Sequence, residues 1–290
     1  MKSRRKFLLQ GGLASTAFMF AKPLASIAKG HFFVQNKLAF GNNITILHTA
    51  NLHHTEGIFE ANSVYQGLGG VSNIASKIAS IKNEAANTLL LDSGNSFHSD
   101  GVYFKPIIKA GYDAMLLGSH NIEKEELGNL VELGLPVLHE KSKPYFIIKK
   151  GNIRVGVITT SNNNSFFDNN NFEAVNALAE SLSKDASCNL VVCLSSLGYK
   201  NKNAVDDIDL AASSQYIDII IGNDPDVFLK TPTVAQNKEK QEVYINNVGK
   251  AGIVLGKLEV SFDENGKKKF VHFDNLMIGT ENNRWRALTA

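Results

Sequence analysis

The sequence predicts a mixed α/β domain built around two β-sheets, and three observations support that fold class. Apolar runs such as Thr88–Asp92 (TLLLD) and residues 216–221 (YIDIII) are typical of strands that are buried on both faces. Residues 71–86 carry apolar side chains at helical spacing. Lys150-Gly151-Asn152 separates two further apolar segments in the manner of a hairpin turn, which adds antiparallel pairing. With 290 residues, 43% of them hydrophobic, the chain is large enough for one such domain.

The elements follow one another along the chain in a regular order. Strands are predicted at 44–49, 88–92, 113–117, 145–149, 153–159, 189–194, 216–221, 243–248, 254–262 and 270–278. Helices are predicted at 71–86, 103–110, 123–133, 172–186 and 205–214. We expect 243–248 and 254–262 to pair with each other, since only a short glycine-containing segment separates them.

The first 30 residues carry a charge pattern of their own. They hold six basic residues and no acidic one, which leaves 24 basic against 28 acidic residues in the rest of the chain and gives no indication of nucleic-acid binding. Residues 3–8 (SRRKFL) match a twin-arginine export signal, followed by an apolar stretch at 11–20 and small residues at Ser26 and Ala28. We therefore expect a signal peptide at 1–30 that is removed on export, a periplasmic or envelope-associated protein, and no stable membrane span.

The remaining chain is predicted to be one domain. Residues 31–43 form a flexible mature N-terminus, 44–280 the domain and 281–290 a tail, with no internal repeat between them. The two cysteines, Cys188 and Cys193, are expected to be buried and unpaired, because five-residue spacing on a strand points them to opposite faces.

Five of the predicted strands end in polar loops, at 51–54, 93–98, 118–121, 195–198 and 222–226. Because the carboxyl ends of neighbouring parallel strands meet at one edge of a sheet, these loops are expected to converge on a composite site.

The loops and their surroundings resemble the metallophosphoesterase domain of bacterial 5′-nucleotidases and related 2′,3′-cyclic-nucleotide phosphodiesterases. The matching stretches, in the family's order and spread over roughly 44–262, are ILHTANLHH, GLGGVSNIASKI, TLLLDSGN, AGYDAMLLGSHN, PYFIIKKGNIRVGVITT, LVVCLSSLG, YIDIIIGNDPD and VGKAGIVLGKLEV. The resemblance implies a calcineurin-like four-layer αββα sandwich with two metal ions at the strand ends. In the family those ions bind a phosphate oxygen and activate the attacking water.

The same resemblance shows how far this chain departs from the family's metal-binding pattern. The family's five loops read D-x-H, G-D, G-N-H-E/D, S-H-x-G and G-H-S/T-H/Q. The seven positions that correspond to metal ligands are here Asn51, His53, Asn95, Ser119, Ser196, Asp224 and Asp226, and only His53 keeps its residue type. Asn95 stands where a bridging aspartate would lie between the two ions, and a neutral amide does not offset their mutual repulsion. The two-metal centre is therefore expected to be absent.

The sequence leaves two questions open, namely whether a single cation binds and whether a catalytic histidine is retained. A single hard cation such as Ca²⁺ or Mg²⁺ could bind Asp224 and Asp226 together with the side-chain oxygens of Asn51 and Asn95. The alternative is that Asn-Asp-Pro-Asp at 223–226 is only a turn sequence. His120 corresponds to the family's catalytic histidine and has Glu123 three residues later as an orienting acid, although a packing role explains His120 equally well.

The predicted function follows from these departures. We expect an exported protein of the metallophosphoesterase family that is non-catalytic or catalytically altered and acts as a binding or partner subunit. Its partner would be an active paralogue or a separate protein that carries a nucleotidase C-terminal domain, since residues 263–290 are too few to form that domain. The alternative is an active phosphoester hydrolase with a rearranged one- or two-metal site, acting on a nucleotide or a related phosphoester.

Overall fold

The computed structural model describes residues 35–36, 42–52, 65–96, 104–117, 134–139, 143–161, 172–201, 204–279 and 285. The strands are β1 (Gln35–Asn36), β2 (Asn43–Thr49), β3 (Thr88–Asp92), β4 (Ala114–Leu116), β5 (Val137–Leu138), β6 (Tyr145–Lys150), β7 (Ile153–Ser161), β8 (Leu190–Ser196), β9 (Ile219–Gly222), β10 (Thr233–Gln236), β11 (Glu242–Asn246), β12 (Val254–Phe262), β13 (Lys268–Phe273) and β14 (Leu276–Met277). The helices are α1 (Val71–Glu84), α2 (Phe104–Ala110), α3 (Glu173–Lys184) and α4 (Asp207–Ser213).

The strands form two sheets. Sheet I has the order β1-β6-β7-β8-β9-β11-β10, and its centre, β7-β8-β9-β11, is parallel. Sheet II has the order β13-β12-β2-β3-β4-β5, with β14 paired to β12. In sheet II the strands from β2 to β5 run parallel, and β12 is antiparallel to β2. Both sheets are therefore mixed, as predicted.

The buried side chains divide the molecule into four layers. One apolar cluster lies between the sheets and includes Ile46 of β2 and Val192 of β8. A second packs α3 and α4 onto the outer face of sheet I, for example Leu210 against Ile220. A third packs α1 onto the outer face of sheet II through Ile78. The αββα sandwich is therefore confirmed.

Most of the predicted elements that fall on described residues are present, with ends shifted by a few residues. The hairpin at 150–152 is confirmed, because β6 and β7 pair antiparallel. Cys188 and Cys193 are buried and free. The leader at 1–30 and the helix predicted at 123–133 lie outside the described residues. No helix of the described ranges is long and apolar enough to span a membrane.

The predicted pairing of 243–248 with 254–262 is wrong. β11 lies in sheet I beside β9, whereas β12 lies in sheet II beside β2. The segment between them carries Gly249, Ala251 and Gly252 at positive φ and passes from one sheet to the other. A short glycine-rich connection suggested a hairpin, but here it links two layers.

Candidate functional site

Asn51, directly after β2, connects three strand-end loops. Its backbone N–H donates to Gly94 O at 2.9 Å, and its carbonyl accepts from Ala251 N at 3.0 Å. Its side-chain Nδ2 donates to Asn223 O at 2.7 Å and to Gly249 O at 2.9 Å. The loops after β2, β3 and β9 therefore converge, as the sequence predicted, and the segment after β11 joins them.

Asn95 completes this cluster. Its Nδ2 donates to Asn51 Oδ1 at 3.1 Å, so every hydrogen-bonding atom of the Asn51 side chain has a partner. We call Asn51 and Asn95, with the carbonyl groups of Asn223 and Gly249, the amide latch. Asn51 is only 1% exposed. The latch therefore holds the loops together by hydrogen bonds within the interior.

The backbone explains why asparagine suits both positions. Asn51 has φ 52° and Asn95 has φ 55°, in the left-handed region that asparagine tolerates better than most side chains. Each strand therefore ends in a sharp turn that directs an amide into the space between the loops.

The amide latch does not fit the two-metal centre of the family. The Asn51 nitrogen that faces the Asn223 and Gly249 carbonyls is a donor and cannot ligate a cation. Reversing the amide would place its oxygen against those two carbonyl oxygens at 2.7 and 2.9 Å, so the network fixes its orientation. The remaining Asn51 oxygen is engaged by Asn95. Asn51 thus uses, for protein contacts, the side-chain atoms that would face an ion, and neither amide supplies the negative charge that two cations need.

Three further polar groups lie in the space between the sheets. Ser93 Oγ donates to Gly222 O at 2.8 Å and ties the second loop to the end of β9. Ser196 Oγ and Asn223 Nδ2 are buried and have no hydrogen-bond partner. These neutral groups give this part of the site hydrogen-bonding capacity without charge.

The two carboxylates of the fifth loop have different surroundings. Asp226 is 77% exposed and its Oδ1 lies 2.7 Å from Lys250 Nζ. Asp224 is half-buried, and its oxygens accept from Tyr199 N at 3.4 Å and Asp226 N at 3.1 Å. The second contact is the side-chain turn expected of an Asx sequence. Asp224 thus faces the loops, whereas Asp226 faces solvent and a lysine.

Across the described residues, no three histidine, cysteine, aspartate or glutamate side chains group as metal ligands. The other predicted site residues, His53, Ser119, His120 and Glu123, lie outside the described residues. Their roles stay predictions.

Asp92, the last residue of β3, stabilises the second loop through hydrogen bonds. It is fully buried and accepts from Thr49 Oγ1 at 2.5 Å, Ser96 Oγ at 2.7 Å and Gly94 N at 3.0 Å. Burial raises the pKa of this carboxyl to about 7, and the three hydrogen bonds oppose the shift. The carboxyl group fixes the turn that carries Asn95.

His48 links the two sheets. Its ring is fully buried, which lowers its pKa to about 3, and its Nε2 accepts from Asn246 Nδ2 of β11 at 2.8 Å. Asn246 and Asn275 exchange hydrogen bonds at 2.9 and 2.8 Å. Gly256 lies opposite His48 in β12, and a side chain there would collide with the ring. His48 therefore has a structural role, which is to join β2 of sheet II to β11 of sheet I.

Sequence reasoning missed several residues that shape this region. The carbonyls of Asn223 and Gly249 carry the latch, but backbone acceptors leave no signal in residue type. Asp207, at the start of α4, also lies close enough to Asp224 for their charges to interact. Its neighbour Asp206 caps the start of α4.

Comparisons with known proteins agree with this fold. No protein-family profile matches the chain. It is 25% identical over 291 residues to a 5′-nucleotidase of Bos taurus, which covers 82% of this chain and 50% of that protein. A 5′-nucleotidase precursor from Thermus thermophilus superposes with a TM-score of 0.68 and 24% identity, over 82% of this chain and 55% of that one. For the calcineurin-like phosphoesterase YfkN from Bacillus subtilis, the TM-score is 0.58 at 21% identity, over 86% and 95%.

The chain spans about half the length of the curated 5′-nucleotidases that it matches. The structures that it resembles match it through their metallophosphoesterase domains. The chain thus has the calcineurin-like phosphoesterase fold, and its sequence is related to the metallophosphoesterase domain of 5′-nucleotidases.

Proposed function

We propose that this protein is a non-catalytic member of its family, in which the amide latch holds the strand-end loops in place of two metal ions. The single observation that carries the proposal is the Asn51 side chain. Its two N–H groups donate to carbonyls of two other loops, at 2.7 and 2.9 Å. In a two-metal site those loops would be joined by cations, and here an uncharged side chain joins them.

The proposed role is binding. The space between the loops offers the buried Ser196 hydroxyl and the Asn223 amide, neither of which has a partner. Together with the relationship to nucleotidases, these groups support a nucleotide or another phosphoester as the ligand. The proposed partner is an active paralogue, or a protein carrying a nucleotidase C-terminal domain, that would use this chain as a subunit.

Phosphoester hydrolysis tests the proposal. The protein is assayed with p-nitrophenyl phosphate, bis(p-nitrophenyl) phosphate and AMP in the presence of Mn²⁺, Zn²⁺, Mg²⁺ or Ca²⁺. We expect turnover no faster than the buffer background, and saturable AMP binding by calorimetry. Turnover that depends on an added ion would contradict the proposal.

Asp224 supports a second candidate, a phosphoester hydrolase with one cation. Unlike Asp226, Asp224 makes no ion pair with any residue that the structure describes. His120 would then be the acid, oriented by Glu123. Under this candidate, Asp224→Asn and His120→Ala would each abolish ion-dependent turnover, and an unchanged rate in both variants would remove these residues from the reaction.

We also propose export through the twin-arginine pathway, supported by the pattern at residues 3–8. Replacing Arg4 and Arg5 together by lysine should retain the protein in the cytoplasm. Cell fractionation would show this, and unchanged periplasmic recovery of the variant would contradict it.

A further inference from the structure

A second polar cluster lies at the carboxyl ends of β7, β8, β9 and β11, on the helix-facing side of sheet I. Thr160, Ser195 and Gly222 are lateral neighbours on β7, β8 and β9. Asn247 follows β11 beside Gly222, and Asp207 of α4 lies over that glycine. We call Thr160, Ser195, Asp207 and Asn247 the polar row.

The polar row is buried but poorly paired. Thr160, Ser195, Asp207 and Asn247 are each 0% exposed. Thr160 Oγ1, Asn247 Nδ2 and both carboxyl oxygens of Asp207 have no hydrogen-bond partner of good geometry. Buried polar atoms are nearly always paired with protein, water or an ion. So many orphans in one row indicate that something else binds there.

The carboxyl group of Asp207 is also uncompensated in charge. Burial raises its pKa to about 7, and the negative charges of Asp206 and Asp224 add to that shift. The Ser195 hydroxyl beside it acts in the opposite direction. No lysine or arginine of the described residues contributes a compensating charge. A buried carboxylate needs a partner of opposite charge or loses its ionisation.

The absence of a side chain at Gly222 leaves space for the Asp207 carboxyl group. A Cβ at this position would collide with Asp207 Oδ2 and would lie 2.9 Å from Asn247 Nδ2. The backbone of Asp207 is fixed independently, since its N–H donates to Gly198 O at 3.0 Å. The carboxyl group is therefore held at the strand ends by its backbone and by the space above a glycine.

The chemistry of the row defines what can bind. The negative charges of Asp206, Asp207 and Asp224 disfavour an anion at the row. The row also contains no histidine or cysteine for a transition metal. One carboxylate balances one positive charge, while serine and threonine hydroxyls supply neutral oxygens. We propose that the polar row binds one alkali-metal cation, Na⁺ or K⁺, through the Asp207 carboxylate and the hydroxyl oxygens of Ser195 and Thr160. This site is distinct from the loop carboxylates Asp224 and Asp226.

Thermal unfolding in matched salts tests the proposal. Melting temperatures are measured in NaCl, KCl and tetramethylammonium chloride at one ionic strength, so that screening is constant. Wild-type protein should melt about 2–4 °C higher in NaCl or KCl, because the ion binds only the folded state. Equal melting temperatures in all three salts would overturn the proposal.

Variants locate the effect. Asp207→Asn should melt at the same temperature in all three salts, whereas the exposed Asp185→Asn and the loop variant Asp224→Asn should keep the wild-type difference. Retention of the difference in Asp207→Asn, or its loss in Asp224→Asn alone, would refute the assignment. If Asp207→Asn does not fold, Ser195→Ala and Thr160→Val should each reduce the difference. Crystals soaked in Tl⁺ should show an anomalous peak beside Asp207, and a peak only at Asp224 would overturn the proposal.

Discussion

The amide latch and the polar row lie at the carboxyl ends of neighbouring strands, yet they treat buried polar groups in opposite ways. In the latch, Asn51 has a partner for each side-chain N–H and for its oxygen. In the row, Asp207 and Asn247 keep atoms without partners. The latch is neutral and centred on a fully paired Asn51 side chain, whereas the row carries the Asp207 carboxyl group without a partner of good geometry. The comparison shows that, where amides stand at the family's carboxylate positions, their hydrogen bonds join the loops that metal ions would otherwise join.

The largest expected effect comes from giving the latch the family's carboxylate. Asn51→Asp would remove two donors and place a buried charge against the Asn223 and Gly249 carbonyl oxygens. We expect the free energy of unfolding to fall by about 3 kcal/mol, measured by urea denaturation. The exposed Asn265→Asp is the matched control and should change it by less than about 0.5 kcal/mol. An Asn51→Asp protein as stable as wild type would show that the latch does not hold the loops.

A second pair of variants compares two buried carboxyl groups with pKa values of about 7. Asp92 accepts three hydrogen bonds, so Asp92→Asn turns an amide N–H towards donors and should cost about 2 kcal/mol. Asp207 has no hydrogen-bond partner of good geometry, so Asp207→Asn should cost less than about 0.5 kcal/mol in tetramethylammonium chloride. Urea denaturation in that salt measures both. Equal losses in the two variants would remove the distinction between the clusters.

The pH dependence separates buried histidine from buried carboxyl groups. Burial lowers the pKa of His48 to about 3, so below pH 6.5 the unfolded chain takes up a proton that the folded chain does not. The stability contributed by neutral His48 is complete above pH 6.5 and falls by about 1.4 kcal/mol per pH unit below it. The pKa values of Asp92 and Asp207 are raised, so their effect is opposite, and stability falls as pH rises from about 3.8 towards 7.

The variant His48→Gln isolates the first of these effects. Its stability relative to wild type should increase by about 2 kcal/mol between pH 6.5 and pH 5, measured by denaturant titration at each pH. A difference that does not change with pH would mean that His48 has the same pKa in the folded and the unfolded chain, which would contradict the lowered pKa.

The smallest effect is expected at the ion pair between Asp226 and Lys250. Asp226 is 77% exposed, so solvent screens the pair. Lys250→Ala should change the free energy of unfolding by less than about 0.5 kcal/mol in the same assay. A loss as large as that of Asn51→Asp would assign the loop's rigidity to this pair and not to the latch.

Local patterns were enough to predict a mixed α/β domain with two sheets, whereas the four-layer sandwich was predicted from the resemblance to the metallophosphoesterase family. Apolar runs gave the strands, and their polar ends identified the loops that meet at Asn51. The pairing of β11 with β9 could not be predicted, because both strands flanking Gly249 are equally apolar and only the packing of layers separates them. The partners of Asn51 are backbone carbonyls, and Lys250 lies 24 residues from Asp226. Contacts of this kind depend on the folded chain and leave no trace in spacing.

The metal content of the folded protein tests the central claim most directly. Protein produced in medium containing Mn²⁺ and Zn²⁺ is purified without chelators and analysed by inductively coupled plasma mass spectrometry against chain concentration. Because hydrogen bonds engage every polar atom of the Asn51 side chain and the latch carries no negative charge, we predict far less than one manganese or zinc ion per chain. Two such ions per chain, lost in the variant Asp224→Asn, would contradict the account.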